Sequence, residues 1–210
     1  WYENDGSENF TEHAILTQDE GLGTATMVHA VDLDRDGDLD AISGHDYYNS
    51  DKYQWHENDG SGNFTYRYID QNTYRSVSDV YPMDVDSDGD IDLLTSWDGQ
   101  SGSVVYYEQD GSHGFTAFEF AFHEISIDDW DGSDWGAGSE NEPQAKKATS
   151  VYSADVDGDG DMDVLYTAEF WDKVAWYKND GSENFTDQVI SISADGAQSV
   201  YAEDVDSDGD

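Results

Sequence analysis

Residues 155–163 read DVDGDGDMD, and this alternation of aspartate with other residues decides the fold because the chain repeats it. The same pattern, called the ladder below, occurs at 32–40 (DLDRDGDLD), at 84–92 (DVDSDGDID) and at 204–210 (DVDSDGD). The ladders start about 50 residues apart, and the interval between the second and third is about 20 residues longer. A repeat of this length is typical of propellers, solenoids and other repeat arrays.

A second motif, called the aromatic hairpin below, alternates with the ladder. It reads WYENDGSENFT from Trp1, WHENDGSGNFT from Trp55, YYEQDGSHGFT from Tyr106 and WYKNDGSENFT from Trp176. Its Asp-Gly step suits a tight turn, because glycine adopts positive φ at low cost and Asn or Asp tolerates it. Apolar residues that alternate before the turn predict a half-buried strand there, and a second strand starts at the phenylalanine.

Each period therefore contains four short strands, one on each side of the ladder and one on each side of the hairpin turn. Four antiparallel strands in about 50 residues form the blade of a β-propeller. We predict an all-β protein, a β-propeller of four-stranded antiparallel blades. It has three complete blades and one split between the two ends of the sequence. The predicted units are a partial blade at 1–16, blades at 24–72, 76–126 and 148–192, a partial blade at 198–210, and an insertion at 128–147.

The ladder has the composition of a calcium loop. Calcium prefers six to eight oxygen ligands, and alternate side chains converge on one point while glycine at the sixth position permits a sharp turn. We expect side chains from positions 1, 3, 5 and 9 and the backbone carbonyl from position 7. Position 12 lacks the glutamate of an EF-hand. The candidate ligands, for about four calcium sites, are Asp32, Asp34, Asp36, Asp38, Asp40, Asp84, Asp86, Asp88, Asp90, Asp92, Asp155, Asp157, Asp159, Asp161, Asp163, Asp204, Asp206, Asp208 and Asp210.

The ladder and the hairpin at this spacing resemble the FG-GAP/VCBS repeat family, whose members form calcium-binding β-propellers related to the integrin α-subunit head. The resemblance covers the chain apart from about 20 residues near 128–147. The Phe-Gly and Gly-Ala-Pro signatures of the integrin-type repeat are absent. The chain therefore looks closer to the bacterial or archaeal surface-protein branch, and integrin-like ligand binding is not carried over.

Charge and composition limit the partners. The chain has 49 acidic and 8 basic side chains and a net charge of −41, which excludes electrostatic binding to nucleic acid or to an anionic membrane surface. No apolar run approaches the ~20 residues of a membrane span. The absence of cysteine excludes disulfides and thiolate chemistry. Excess acidity favours an extracellular or cell-surface location rich in divalent cations. Because the sequence begins at Trp1, we expect a piece of a longer or processed protein.

A possible ligand face lies opposite the ladders and hairpins, where the other connections between strands meet. Its aromatic candidates are Tyr47, Tyr48, Trp97, Trp130, Trp135 and Trp171. Exposed aromatic rings flanked by Asp and Asn suit stacking on sugars or contact with a protein partner. The alternative is that these rings pack between the blades.

These features predict a non-catalytic, calcium-stabilised extracellular module with a structural or adhesive role. Its partner would be another protein or further copies of itself, arranged head to tail as a filament or array. One alternative is a glycan-binding, lectin-like propeller. Another is the propeller domain of a polysaccharide-cleaving enzyme, although the six histidines share no catalytic pattern.

Overall fold

The computed structural model describes residues 1–15, 24–46, 53–70, 76–98, 104–109, 120–125 and 148–205. These residues form fourteen strands and a single turn of 3-10 helix at Glu169–Trp171. The strands are β1 Tyr2–Asn4, β2 Phe10–Glu12, β3 Thr24–Val31, β4 Asp40–Asp46, β5 Tyr53–Asn58, β6 Phe64–Asp70, β7 Ser76–Met83, β8 Asp92–Asp98, β9 Val104–Gln109, β10 Phe120–Glu124, β11 Ala148–Ala154, β12 Asp163–Ala168, β13 Lys173–Asn179 and β14 Phe185–Ser191.

The all-β prediction is confirmed. The first sheet has the order β3-β4-β5-β6, the second β7-β8-β9-β10 and the third β11-β12-β13-β14, and every pairing is antiparallel. Strands β1 and β2 form a separate two-stranded sheet, called the N-terminal hairpin below. Closure into a propeller and the split blade stay predictions, and the insertion at 128–147 lies outside the described residues. The described part of the chain contains no helix with the length and apolarity of a membrane span.

Each of the first three ladders joins the first and second strands of one sheet. The residue before the ladder pairs with its last aspartate: Val31 with Asp40, Met83 with Asp92, and Ala154 with Asp163. The same pair of strands also carries an irregularity of register in all three sheets, at Ala25/Met27, Val77/Asp79 and Ala148/Ser150. The repeats are therefore equivalent in backbone geometry as well as in sequence, and each ladder is held at the end of a strand pair.

The second sheet is buried on both faces. Successive residues of a strand point to opposite faces. Leu93 and Tyr107 therefore pack in an apolar cluster with the first sheet, whereas Leu94 and Tyr106 pack in a cluster with the third. All four side chains are at most 2% exposed. This explains why β8 and β9 contain consecutive apolar residues instead of the alternation of a half-buried strand.

The first strands of the three sheets lie side by side, since β7 contacts both β3 and β11. An aromatic side chain three residues before each ladder forms a continuous row. The ring centroids of His29 and Tyr81 are 5.9 Å apart, those of Tyr81 and Tyr152 4.9 Å, and those of Tyr152 and Tyr201 4.8 Å. Tyr201 therefore occupies the next position of the row, although residues 192–205 form no strand.

Polar bonds join these first strands. The Asp79 carboxylate of β7 accepts hydrogen bonds from Ser150 Oγ (2.9 Å) and from the Val151 amide (3.2 Å) of β11. Ser150 Oγ in turn accepts a bond of 3.5 Å from the Val200 amide. The same relation between neighbouring repeats thus extends to the segment that precedes the fourth ladder.

Candidate metal centres

The three described ladders share one loop conformation. Glycine at position 6 has φ of 99° at Gly37, 93° at Gly89 and 97° at Gly160. A residue with a side chain is rarely found in this conformation, so glycine is required there. Position 4 also has positive φ in each loop. The backbone therefore turns sharply twice, which brings alternate side chains to the same side.

The last aspartate of each ladder is a buried anchor. Asp92 is fully buried, and its two carboxylate oxygens each accept a 2.8 Å hydrogen bond, one from the Val85 amide and one from the Gln109 amide. The equivalent bonds recur at Asp40 and Asp163. The anchor ties the start of the loop to the third strand. Burial raises the pKa of Asp92 to about 7 and also raises the pKa of Asp40 and of Asp163.

Carboxylate oxygens converge in each of the three loops. Three oxygens lie within 4.8 Å of one another in each of the following groups: Asp32, Asp34 and Asp36; Asp84, Asp86 and Asp92; Asp155, Asp157 and Asp163. Positions 1 and 3 contribute to every group, whereas the third member is position 5 in the first loop and position 9 in the others. Three converging anionic oxygens repel one another, so a cation would stabilise the cluster.

Within the described part of the chain, two oxygens at these clusters are buried without a hydrogen-bond partner. They are Asp32 Oδ1 and Asp84 Oδ1, both at position 1 of their loops. A buried anionic oxygen without a donor lowers the stability of the fold, because it has lost its hydrogen bonds to water and has formed none within the protein. Hard oxygen ligands around an unsatisfied anionic oxygen suit calcium. The residues present therefore fit the divalent cation that the sequence predicts.

The aspartates at position 7 lie outside the clusters, and in the first and third ladders they face the hairpin turn of the same sheet. A Cβ atom added to Gly181 would lie 2.5 Å from Asp161 Oδ2, and one added to Gly60 would collide with Asp38 Oδ2. Asp90, at the same position of the second ladder, forms an ion pair of 2.6 Å with Arg35 of the first ladder. The side chains of position 7 thus connect the loops to their surroundings.

The position 5 aspartates of the second and third ladders lie outside the clusters. Asp88 Oδ1 accepts a 2.8 Å bond from the Asp90 amide, and Asp159 Oδ1 a 3.0 Å bond from the Asp161 amide. Both side chains are exposed. In the fourth ladder Asp204 is exposed, and Asp206, Asp208 and Asp210 lie outside the described residues.

The hairpin turns are stabilised by their own aspartates. Asp59 Oδ1 accepts bonds from the Ser61 amide (2.9 Å) and the Asn63 amide (3.2 Å), and Asp59 Oδ2 accepts one from Asn63 Nδ2 (2.8 Å). The same three bonds recur at Asp5 and Asp180. Hydrogen bonding to the asparagine lowers the pKa of all three carboxyls. The repetition of the hairpin sequence therefore follows from turn chemistry.

The predicted ligand face is only partly described. Trp97 is buried, 2% exposed, and its indole N–H donates to the Tyr53 hydroxyl, which is the packing role that the sequence left open. Trp171 is half-buried and packs against the cluster between the second and third sheets. Its neighbour Phe170 is 52% exposed. Tyr47, Tyr48, Trp130 and Trp135 lie outside the described residues.

The third sheet contains a buried ionic network that the motifs do not predict. Lys173 Nζ donates to Tyr166 Oη at 2.7 Å and to Asp187 Oδ2 at 2.8 Å, and Tyr166 Oη donates to Asp187 Oδ1 at 2.7 Å. Lys178 was not predicted either, and its ammonium contacts the third ladder at Asp157 and at Asp159 Oδ2, 3.0 Å away. Comparing equivalent positions in the repeats would have found Lys178, because glutamate stands there at Glu57 and Glu108.

Three four-stranded antiparallel sheets, each with one acidic loop, define a β-repeat protein with a candidate metal centre in every complete repeat. A family model described as FG-GAP-like repeat matches residues 32–95, 84–166 and 155–210, and each match starts at the first aspartate of a ladder. The chain belongs to the FG-GAP-like repeat family, which confirms that part of the resemblance, and the bacterial or archaeal branch stays a prediction. None of the curated proteins matches the chain.

Among solved structures, the chain is similar to one described as the structural basis of specific recognition of non-reducing terminal N-acetylglucosamine by an Agrocybe aegerita lectin. The two chains are 18% identical and superpose with a TM-score of 0.49. The match covers 81% of this chain and 39% of the lectin chain.

Proposed function

We propose that this chain is a calcium-stabilised, non-catalytic β-propeller module with a structural or adhesive role outside the cell. The observation that carries the proposal is the recurrence of one carboxylate cluster at the same place in three sheets, twice with a buried oxygen that has no partner. FG-GAP-like repeats are typical of extracellular proteins. Millimolar-range calcium sites of extracellular modules suit that setting.

Each loop offers a defined set of ligands. Positions 1 and 3 supply the converging carboxylates, and position 5 or 9 supplies the third. The buried anchor at position 9 holds the loop against the third strand with or without an ion, through two backbone N–H donors. When bound, calcium supplies positive charge that neutralises the cluster.

Neutralisation matters because the protein is so acidic. Two like charges about 4 Å apart repel by roughly 1 kcal/mol even in water, and each loop brings at least three carboxylates together. The net charge of −41 adds long-range repulsion that opposes the compact state. Stability of the sheets is therefore proposed to depend on calcium.

The propeller is proposed from the relation between neighbouring sheets. Their first strands lie side by side in chain order, and residues 198–201 continue the series through the Val200–Ser150 bond and the Tyr201–Tyr152 contact. An apolar cluster fills the space between the first and second sheets, and another fills the space between the second and third. Sheets that pack face to face in sequence order around adjacent first strands form the blades of a propeller.

Removal of calcium tests the proposal. Calcium at ten times a dissociation constant adds about 1.4 kcal/mol per site. Three sites would then add roughly 4 kcal/mol and raise the unfolding midpoint of a domain this size by about 10 °C. Thermal unfolding followed by circular dichroism in calcium chloride and in excess EDTA measures this shift. Magnesium chloride at the same concentration controls for ionic strength, and an unchanged midpoint in EDTA would refute calcium stabilisation.

The proposed partner is another copy of this chain or another protein. The N-terminal hairpin has the sequence of third and fourth strands, and residues 198–205 have the sequence of a first strand. An exposed two-stranded sheet is a template for pairing. We expect calcium to lower the charge repulsion between copies and to increase the mass measured by light scattering, reversibly on adding EDTA. A mass that stays monomeric at every calcium concentration would leave only pairing within one chain.

A further inference from the structure

The third ladder differs from the other two in its neighbouring charge. On the third strand of each sheet, the residue two positions after the first aromatic residue of the hairpin motif is Glu57 in the first sheet and Glu108 in the second. In the third sheet it is Lys178. The Lys178 ammonium contacts Asp157 Oδ2 and lies 3.0 Å from Asp159 Oδ2. A cation of the protein therefore already sits on two ladder carboxylates.

The first aspartate of the third ladder is also satisfied by the loop itself. Asp155 Oδ1 accepts bonds from the amides of Gly158 (2.8 Å) and Asp159 (3.1 Å), and Asp155 Oδ2 accepts one from Gly160 (3.0 Å). Among the described residues, no donor reaches one buried oxygen of each of the equivalent residues, Asp32 and Asp84. Arg35 pairs with Asp90, which lies outside the second cluster, whereas Lys178 contacts Asp157, a member of the third cluster.

At the first ladder the neighbouring charge has the opposite sign. The residue of the first sheet that is equivalent to Lys178 is Glu57, which is acidic and lies on β5. Arg67 pairs with Glu57 at 2.5 Å and so balances part of that charge. This position therefore supplies no cation to the first cluster, whereas Lys178 supplies one to the third.

We propose that Lys178 is a built-in counter-ion that competes with calcium at the third ladder, so that the first and second ladders fill at lower calcium. This inference rests on the proposed calcium binding. A calcium ion can take Asp157 only after the ammonium has left it, which weakens binding there. Without calcium, the same ammonium neutralises the ladder and keeps the third sheet stable while the other two lose stability.

A site-resolved titration tests the order of filling. The position 6 glycines Gly37, Gly89 and Gly160 each report on one loop, because their amides lie inside it. Calcium chloride is added to the calcium-free, isotope-labelled chain, and these amides are followed by two-dimensional NMR. We expect Gly160 to respond at roughly tenfold higher calcium than Gly37 and Gly89, as one competing charge contact implies. Simultaneous response of all three glycines would overturn the inference.

Two neutral substitutions give opposite expected shifts. Lys178→Gln should lower the calcium concentration at which Gly160 responds by roughly tenfold and leave Gly37 unchanged. Glu57→Gln should raise the concentration at which Gly37 responds and leave Gly160 unchanged. Lys147→Gln removes the same charge from a segment outside every ladder in the sequence and should shift neither. An unchanged Gly160 response in Lys178→Gln would overturn the role of Lys178.

Melting curves supply a readout that does not depend on affinity. In EDTA, Lys178→Gln should melt below the unsubstituted chain, whereas in saturating calcium the two should melt together. A variant that unfolds in EDTA is titrated in reverse, from saturating calcium downward, with the same glycine signals. Absence of any glycine response in the unsubstituted chain would remove the proposed calcium binding itself. Binding without the expected order would remove only the role of Lys178.

Discussion

At the residue scale, the buried carboxylates of the ladders differ in whether their oxygens accept hydrogen bonds from backbone amides. Asp92 is buried but has two amide donors, and Asp84 has a buried oxygen with none. Both aspartates belong to the second candidate cluster, and Asp92 has the further role of an anchor. Spacing alone cannot make this distinction, because it depends on which amides the folded strands bring near.

The buried network of the third sheet predicts a large effect of one substitution. Asp187→Ala removes the carboxylate that pairs with Lys173, an ammonium only 3% exposed, and should cost about 3 kcal/mol of unfolding free energy because a buried charge loses its partner. Urea unfolding in calcium measures this change. The double variant Asp187→Ala, Lys173→Met should recover most of the loss, and equal stability of the single and double variants would contradict the network.

At the element scale, the ladder and the hairpin of one repeat form a unit. The Asn179 amide donates to Asp163, and Gly181 lies against Asp161. Glycine at the hairpin turn is thus needed both for its positive φ and for the space that the ladder fills. The two motifs recur together in the sequence because each is shaped to the other.

Two equivalent hairpin glycines allow the need for positive φ to be tested separately from the need for space beside the ladder. Gly6 and Gly181 have φ of 77° and 74°, yet a Cβ atom at Gly6 meets nothing within 4 Å and one at Gly181 meets the whole Asp161 carboxylate. Gly6→Ala should therefore cost about 1 kcal/mol from backbone strain alone. Gly181→Ala should cost about 2–3 kcal/mol, because it also displaces the ladder. Thermal unfolding in calcium compares them, and an equal loss would show that the contact contributes nothing.

The strands could be predicted from the sequence because each period carries its own turn signals. β7, β8 and β9 follow the pattern set by ladder and hairpin. The role of Trp97 could not be predicted, since burial of both faces of the second sheet arises only when the repeats stack. Tyr166 and Asp187 likewise occupy positions that differ between repeats, and therefore no periodicity marks their network with Lys173.

At the scale of the whole molecule, protection from solvent is uneven. The second sheet lies between two apolar clusters, whereas all six residues of β1 and β2 are exposed. Local opening is easiest where few apolar contacts hold a strand.

Hydrogen exchange should follow this order. In calcium, peptides that cover β8 and β9 should exchange most slowly of the described strands, and those that cover β1 and β2 fastest. Mass spectrometry of deuterated peptic fragments measures both. Equal protection of the N-terminal hairpin and β8 would show that another part of the protein covers the hairpin.

The position of the metal loops affects how repeats can be duplicated or deleted in such a chain. For the three described ladders, the contacts between an anchor and its donors lie inside one repeat, whereas each of the two apolar clusters is shared between two repeats. Deleting one repeat at equivalent positions would remove its loop as a complete unit. It would also remove one of the two sheets that enclose each adjoining apolar cluster. Duplication and deletion of repeats are therefore limited by the fit between sheets, while the loops can be gained or lost whole.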